Sequence, residues 1–217
     1  MKRASAKSEL KIDPPDLPKT ELEALAIEEF ERDAYELLAI EGPKLIDSSF
    51  PSLRFDSCVL TRFELDRSKL PNLRLLDVRL EKSSASNGEW GKAGLRRVEI
   101  IGSRLTGLTV VESELSDVKF IDCKLDYLRL ANSKLRNVRF EGCALTEADF
   151  VESSIENGAF IGCDLRKADF THAKLTNIDL RGSKIDGLEI DASQFPSLTI
   201  DAPQAMTIVQ MLGAKIV

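Results

Sequence analysis

Every fifth residue from Leu45 to Ile200 is apolar, and this repeat limits the available folds more than any other feature of the chain. The series has 32 members without a break, whereas a random sequence with 43% apolar residues would place about 14 there. Eight of the ten phenylalanines belong to it. Because an α-helix repeats every 3.6 residues and a strand every 2, neither element repeated alone explains a period of five.

A second inward register lies two residues before each member of the series. From Ser103 onward it alternates between small residues and larger apolar ones, and the other three positions of each pentad are mostly charged, polar or glycine. Two inward and three solvated residues in every five predict a chain that turns a corner at each pentad.

Segments 148–150, 163–170 and 173–175 resemble the A(D/N)LXX motif of the pentapeptide-repeat family. The resemblance covers about residues 38–200. It implies an all-β solenoid, namely a right-handed quadrilateral β-helix of about eight coils with short terminal helices. Each coil of such a rod pairs only with its neighbours, so both ends need caps.

The chain before the repeat, residues 1–37, is interpreted as a disordered arm followed by an N-terminal capping helix. Residues 1–18 are rich in Lys, Ser and Pro, a composition typical of disorder. Thr20 and Glu23 have the spacing of a capping box, and apolar residues from Leu22 to Leu37 mark one face of a helix over about residues 20–36. The competing interpretation is an early pentad series, whose members are Leu25, Phe30, Tyr35 and Ile40.

Residues 201–217 are predicted to form a short helix and an extended tail. Asp201 is the expected N-cap, with Pro203 in the first turn, and Gly213 ends the helix. This ending resembles the C-terminal segments of the quinolone-resistance and microcin-immunity branches of the family, which implies a two-fold dimer interface. The alternative is a plug over the last coil. The candidate dimer contacts, at helical spacing, are Ala205, Ile208, Val209 and Leu212.

Residues 81–94 are the least apolar part of the repeat, although Ala85 and Trp90 keep its register. We interpret this segment as an irregular coil or a bulged loop. As an irregular coil it is a tolerated defect. As a loop it presents Trp90 as a candidate contact for a partner.

The residue types required for catalysis are scarce. His172 is the single histidine, and it falls at an outward corner without a partnered nucleophile. Cys123, Cys143 and Cys163 lie one predicted coil apart in the small inward register, so they are expected to pack in the core rather than converge on a metal ion. Cys58 occupies the same register. We therefore expect no enzymatic activity, no catalytic residues, no metal site and no cofactor.

Composition and charge bear on location and partners. The 30 basic and 36 acidic residues give a net charge of −6, which disfavours direct binding of nucleic acid or membranes. No apolar run has the length of a membrane span, and the N-terminus lacks the apolar region of a signal peptide. Four cysteines without a secretion signal predict a cytoplasmic protein.

The charge is distributed unevenly along the rod. Residues 43–140 carry 18 basic and 13 acidic groups, whereas residues 141–200 carry 5 and 11. Asp149, Asp169 and Glu189 are spaced by 20 residues and are therefore expected to form one acidic stripe, which Arg129 ends. In the topoisomerase-binding branches of the family, an acidic rod of DNA-like width occupies the DNA-binding saddle of gyrase.

These observations predict a non-enzymatic binding protein that acts through the surface of its rod, as a homodimer joined by the C-terminal segment. Its sharpest form is a DNA mimic that binds a type II topoisomerase, gyrase, through the acidic stripe. The alternative is a protein-interaction scaffold with an unrelated partner, using the Trp90 region or the basic N-terminal coils. The motif identifies the fold and not either function.

Overall fold

Residues 20 positions apart lie side by side, and this spacing converts the pentad series into a stack of coils. The computed structural model describes residues 10–28 and 30–214. They form a parallel β-solenoid of about eight turns, as the sequence predicts. Strand partners such as Arg74 and Gly94, or Gly94 and Glu114, differ by 20 from one coil to the next.

Five strands of eight residues dominate the rod, and each covers two adjacent sides of a coil. The strands are β1 (Glu23–Ala26), β2 (Ala34–Glu36), β3 (Leu38–Glu41), β4 (Arg54–Asp56), β5 (Val59–Thr61), β6 (Arg74–Glu81), β7 (Gly94–Ile101), β8 (Glu114–Ile121), β9 (Lys134–Glu141), β10 (Ser154–Ile161), β11 (Asp169–Phe170), β12 (Lys174–Asp179), β13 (Glu189–Ile190) and β14 (Leu198–Thr199). A 3-10 helix, Ala192–Ser197, and the α-helix α1, Ala202–Met211, follow the last complete coil. Isolated bridges at 20-residue spacing pair the other two sides, for example Asp149 with Asp169.

We name the four faces A to D by their first central residues, which are Leu45, Phe50, Phe55 and Leu60. Every twentieth residue after each of these is central to the same face. The central residue and the one two positions earlier point inward, and the intervening residue and the next two face solvent. A 20-residue coil with four such faces follows directly from the five-residue period.

Each corner turns at the second residue after the central one, where the backbone takes a positive φ. At these positions φ lies between 50° and 74° from Asp47 to Gly187. Asn, Asp and Gly tolerate this left-handed region best, which explains why they recur there. Bulkier residues such as Tyr127 and Arg62 adopt it as well, held by the pairing of the coils on both sides.

Stacked side chains fill the interior. Phe120, Phe140 and Phe160 form a ladder with ring centroids 4.7 and 4.9 Å apart, and Phe150 stacks on Phe170 at 4.6 Å. Cys58, Cys123, Cys143 and Cys163 are all buried free thiols. Each thiol donates to backbone carbonyls of its own and the preceding coil, for example from Cys123 to Ile100 at 3.3 Å. The cysteines therefore pack as the inward register predicts.

The predicted N-terminal capping helix is wrong. Residues 23–41 form the short strands β1, β2 and β3, and β1 pairs with β3, so the pentad interpretation of this segment is correct. The cap is instead a cluster of aromatic rings in which Phe30 contacts Tyr35, Phe50, Phe55 and Phe63. Helical and pentad spacing both fit Leu25 and Phe30, and pairing with the following coil decides between them.

Residues 10–18, the N-terminal arm, lie along the rod rather than being disordered as predicted. The amide of Asp16 donates to Asp77 at 2.8 Å, and Ile12 is 7% exposed. The amide of Asp13 approaches Asp117 two coils further on, at 3.5 Å. The arm therefore runs along the corner between faces C and D. The rest of the predicted arm, residues 1–9, lies outside the described residues.

Helix α1 begins as predicted. The Asp201 side chain accepts from the amide of Gln204, and the Gln204 side chain accepts from the amide of Asp201, which completes a capping box. The buried Gln204 amide also donates to the carbonyls of Leu180 (2.5 Å) and Ser183 (2.8 Å), so the helix is fixed to the last coil. Gly213 has a φ of 82° just beyond the helix. Of the predicted tail, residues 215–217 lie outside the described residues.

Residues 81–94 form a regular coil, so the irregular coil or bulged loop predicted there is wrong. They continue from the end of β6 through bridges at Ser84 and Glu89 to the start of β7. Trp90 is 2% exposed. The same coil carries the small inward residues Ala85, Gly88 and Ala93, which leave room for the indole. The low apolarity of the segment thus balances the volume of one large side chain.

Candidate binding surfaces

The acidic stripe stacks along face B. Arg129 bridges to Asp149, Asp149 to Asp169, and Asp169 pairs with Glu189 in register. Neighbouring strands are about 4.8 Å apart, so three carboxylates line one edge at that spacing. Whether this stripe binds a partner stays a prediction.

Face B as a whole is the acidic side of the rod. Between residues 49 and 192 its outward positions hold three basic and seven acidic side chains, whereas those of faces A and D are balanced. These residues are Lys69, Lys92, Arg129, Glu89, Glu112, Asp149, Glu152, Asp169, Glu189 and Asp191. In the part of the chain that the structure describes, Glu152, Asp169 and Glu189 have no basic side chain within 4 Å. The negative potential of the C-terminal coils is therefore concentrated on this face.

Two members of the stripe also support the backbone. Asp149 accepts from the amide of Val151 at 3.0 Å, and Asp169 accepts from that of Thr171 at 2.7 Å. Each carboxylate thus closes the corner that follows it. An asparagine would preserve this bond while it removes the charge, which separates the two roles experimentally.

Acidic residues on other faces are neutralised by nearby arginines. Arg166 donates to Asp164, and its guanidinium lowers the pKa of that carboxyl. Burial alone would raise the pKa of Asp179, but hydrogen bonds from the Arg181 guanidinium hold it below its ordinary value. The excess of acidic residues counted along residues 141–200 is therefore weaker on faces A and D than on face B.

The candidate dimer contacts divide between two environments. Ile208 packs against the core and Ala205 is partly buried, whereas Val209 and Leu212 are 40% and 59% exposed. Met206, which the pattern of apolar residues did not include, is also exposed. Leu212 borders an open cleft of about 500 Å³ that Ile190 and Phe195 also line. Helix α1 thus covers the last coil and leaves an apolar surface open.

Trp90 is not available as a surface contact. Its ring lies in the core, and its indole Nε1 has no hydrogen-bond partner among the described residues. The prediction that it contacts a partner is therefore wrong for this conformation.

Face C carries a basic groove that the sequence interpretation missed. It has a volume of about 620 Å³, with Gly94 and Ser116 at its low points. The charged side chains that line it are Arg54, Arg74, Arg96, Glu114, Lys134 and Arg136. Arginines whose 20-residue neighbours are not acidic would have been the sequence signal for it.

The described residues contain no group of three or more His, Cys, Asp or Glu side chains placed to hold a metal ion. His172 is exposed, and its ring approaches Asp191 at 3.6 Å. No helix in residues 10–28 or 30–214 is long and apolar enough to cross a membrane.

A four-sided solenoid with a 20-residue coil and one inward central residue per pentad is a pentapeptide-repeat β-helix. The family model described as "Pentapeptide repeat region" matches residues 97–170 and 113–195. The chain belongs to the pentapeptide-repeat family.

Solved structures of pentapeptide-repeat proteins resemble the chain at low identity. HetL from the cyanobacterium Nostoc sp. strain PCC 7120, involved in heterocyst differentiation regulation, is 16% identical with a TM-score of 0.44, over 73% of this chain and 87% of HetL. A trypsin-treated form of QnrB1, a plasmid-mediated fluoroquinolone resistance protein, is 18% identical with a TM-score of 0.44, over 90% and 98%. Rfr23 from the cyanobacterium Cyanothece 51142 is 16% identical with a TM-score of 0.32, over 66% and 91%. No curated protein matches the sequence.

Proposed function

We propose that this protein is a non-enzymatic binding protein that presents acidic face B to a cationic surface of a protein partner. The observation that carries the proposal is the concentration of unpaired carboxylates on that face, while faces A and D are balanced. A regular array of negative charge on a rigid rod attracts a positively charged groove at long range. The coil spacing keeps that array fixed.

The sharpest form of this proposal is a DNA mimic that binds the DNA-binding saddle of a type II topoisomerase, gyrase. Duplex DNA carries one charge per about 1.7 Å, so the roughly 14 Å of three coils corresponds to about eight charges. The acidic face of the C-terminal coils reaches a comparable order with Asp149, Glu152, Asp169, Glu189 and Asp191. The mimicry would occupy one face of the rod, since neighbouring acidic groups are paired with arginines.

The proposed active form is a homodimer through helix α1. Val209 and Leu212 on the exposed side of the helix, with the cleft beside Ile190, supply an apolar surface at the end of the rod. A two-fold contact there would bring two acidic segments together end to end, lengthening the charged surface. Light scattering at tens of micromolar protein tests this: a dimer mass is expected, and a monomer mass removes the dimer.

A gyrase supercoiling assay tests the topoisomerase partner. The purified wild-type protein is expected to inhibit supercoiling, or to protect gyrase from a quinolone, at micromolar concentration. Asp149→Asn, Asp169→Asn and Glu189→Gln together should abolish the effect while the corner hydrogen bonds remain. The matched control is Asp126→Asn, Glu147→Gln and Asp186→Asn, which removes three charges from face A.

Equal loss in both triple variants would show that total charge acts and not face B. No effect of the wild-type protein on gyrase would remove the topoisomerase as partner. The second candidate function is a scaffold for an unrelated protein that binds the basic first half of the rod. The groove on face C favours it.

A further inference from the structure

The basic groove on face C is shaped by missing side chains. Gly94 stands between Arg74 and Glu114 in one outward column, and Ser116 stands between Arg96 and Arg136 in the next. A Cβ atom at Gly94 would lie 3.0 Å from the Cδ atom of Arg74, so the arginine side chain crosses the space that a larger residue would fill. The groove therefore exists because column positions that elsewhere carry long side chains are short here.

Its arginines differ from the others on the rod. Arg54, Arg74 and Arg96 have no carboxylate within 4 Å among the described residues. Every other described arginine except Arg32 has such a partner, and Arg32 lies over the ring of Tyr35. The paired arginines are Arg62, Arg67, Arg79, Arg97, Arg104, Arg129, Arg136, Arg139, Arg166 and Arg181.

Two of the unpaired guanidiniums have no described hydrogen bond, and the third is held in place. Arg74 donates from Nη1 to the carbonyls of Leu73 (3.1 Å) and Lys92 (2.7 Å), which orients its guanidinium across the floor. At the far end of the groove, Lys134 pairs with Glu114 at 3.1 Å and Arg136 with Glu156 at 3.7 Å. Positive charge without a protein counterion is thus gathered in the first three coils of the groove.

We propose that this groove binds an extended acidic peptide segment of a protein partner. From Arg54 to Lys134 the column crosses four coil steps, or about 19 Å, which matches about six extended residues. Guanidinium groups pair with carboxylates through two parallel hydrogen bonds, and three unpaired guanidiniums offer that geometry. The site lies on face C, so it is independent of the function proposed for face B.

A peptide fits the lining better than a nucleic acid does. Glu114 lies within the groove, where it would repel a phosphate backbone but accept from a peptide N–H group. Leu76 is half-buried on the floor and offers an apolar contact that alternate peptide side chains reach. The net charge of −6 also disfavours a long polyanion more than a short acidic segment.

The test measures fluorescence anisotropy of fluorescein-labelled octaglutamate with the full chain at 50 mM NaCl. Arg96→Ala removes one unpaired charge, and Gly94→Leu fills the floor without a change of charge. Each is expected to weaken binding by about fivefold to tenfold. Lys174→Ala, which removes a charge from the same column four coils beyond Gly94, is expected to change binding less than about twofold.

Three results would overturn the proposal. These are an absence of saturable octaglutamate binding, an equal loss in Lys174→Ala and Arg96→Ala, and tighter binding of labelled octathymidylate than of octaglutamate. The last result would assign the groove to nucleic acid. Amide chemical shifts of the wild-type protein give a readout that needs no variant. Octaglutamate should move the signals of Gly94 and Ser116 and leave those of face B unchanged.

Discussion

The guanidinium of Arg97 donates two hydrogen bonds to the carboxylate of Asp77, one coil earlier at the corner between faces C and D. Asp77 is 5% exposed and also accepts from the amide of Asp16 in the N-terminal arm. Further along this corner Asn137 donates to Asp117, Asn157 to Asn137, and Asn177 to Asn157. One polar ladder therefore joins the coils and holds the arm.

Replacing the Asp77 carboxylate should cost stability in a pH-dependent manner. Burial alone would raise the pKa of Asp77, but hydrogen bonds from Arg97 and Asp16 hold it below its ordinary value. A depressed pKa in the folded state stabilises the protein above about pH 4, and that contribution is lost as the pH falls through the folded-state value. Asp77→Asn should lower the unfolding free energy by about 1–3 kcal/mol at pH 7.

Urea unfolding of the wild type and of Asp77→Asn at pH 7 and near pH 3 provides the measurement. The difference between the two proteins should shrink on acidification. Asp126→Asn, at a corner without a resolved shift in the folded state, serves as the control. A difference that is the same at both pH values would contradict the assigned role.

The N-terminal arm is expected to detach without loss of the rod. Ile12→Asp would place a charge at a position that is 7% exposed, which is unfavourable unless the arm leaves the surface. Limited proteolysis should then cut within residues 10–18 faster than in the wild type. The urea midpoint of the rod should stay nearly unchanged, because each coil is held mainly by its neighbours. Lys11→Asp, at an exposed neighbouring position, is the matched control. A large fall in the urea midpoint would show instead that the arm is part of the folding unit.

The coil and its inward faces could be predicted from sequence because one period governs both. A residue placed every five positions must return to the same face after 20, and no helix or simple strand satisfies that spacing. Stacking of Asp149 on Asp169 and the burial of Cys143 follow from the same arithmetic. What depends only on the repeat was therefore accessible.

Features that depend on neighbouring coils were not. Leu25 and Phe30 fit a helix and a pentad series equally well, and the aromatic cluster with Phe63 favours the second. Trp90 resembled a loop residue because the small residues that surround its ring are scattered through the coil. The groove needed a comparison of each arginine with residues 20 positions away, such as Arg74 with Arg54 and Gly94.

Relieving backbone strain at one corner should stabilise the rod. Tyr127 has a φ of 60° and is 54% exposed, so its side chain gains little from packing. The left-handed region costs a non-glycine residue about 1–2 kcal/mol, and asparagine tolerates it better. Tyr127→Asn should therefore raise the unfolding free energy by about 0.5–1 kcal/mol. Tyr127→Ala, which keeps the strain, should give no such gain in thermal or urea unfolding. Equal gains for both would point to the removed ring rather than to φ.

Gln204 should be essential for holding helix α1 on the last coil. Its side chain completes the capping box and donates to the carbonyls of Leu180 and Ser183. Gln204→Ala would leave these buried carbonyls without a donor, at about 1–3 kcal/mol. Hydrogen exchange should become faster across residues 202–211 and at the end of the last coil. Gln210→Ala, on the exposed side of the same helix, should have little effect. Unchanged exchange in Gln204→Ala would show that apolar contacts of Ile208 alone hold the helix.

The four thiols are expected to be unreactive in the folded protein. Burial raises the pKa of Cys58, and hydrogen bonding with Cys123 and Cys163, together with burial, raises that of Cys143. Since the thiolate is the reacting species, a thiol reagent at pH 8 should label none of the four until denaturant is added. Serine fills the same ladder at positions 103 and 183 and donates from position 183 to the Phe160 carbonyl at 2.8 Å. Cys143→Ser should therefore change the unfolding free energy by less than about 1.5 kcal/mol. Rapid labelling of one thiol in native buffer would place that cysteine at the surface and contradict its assignment to the core.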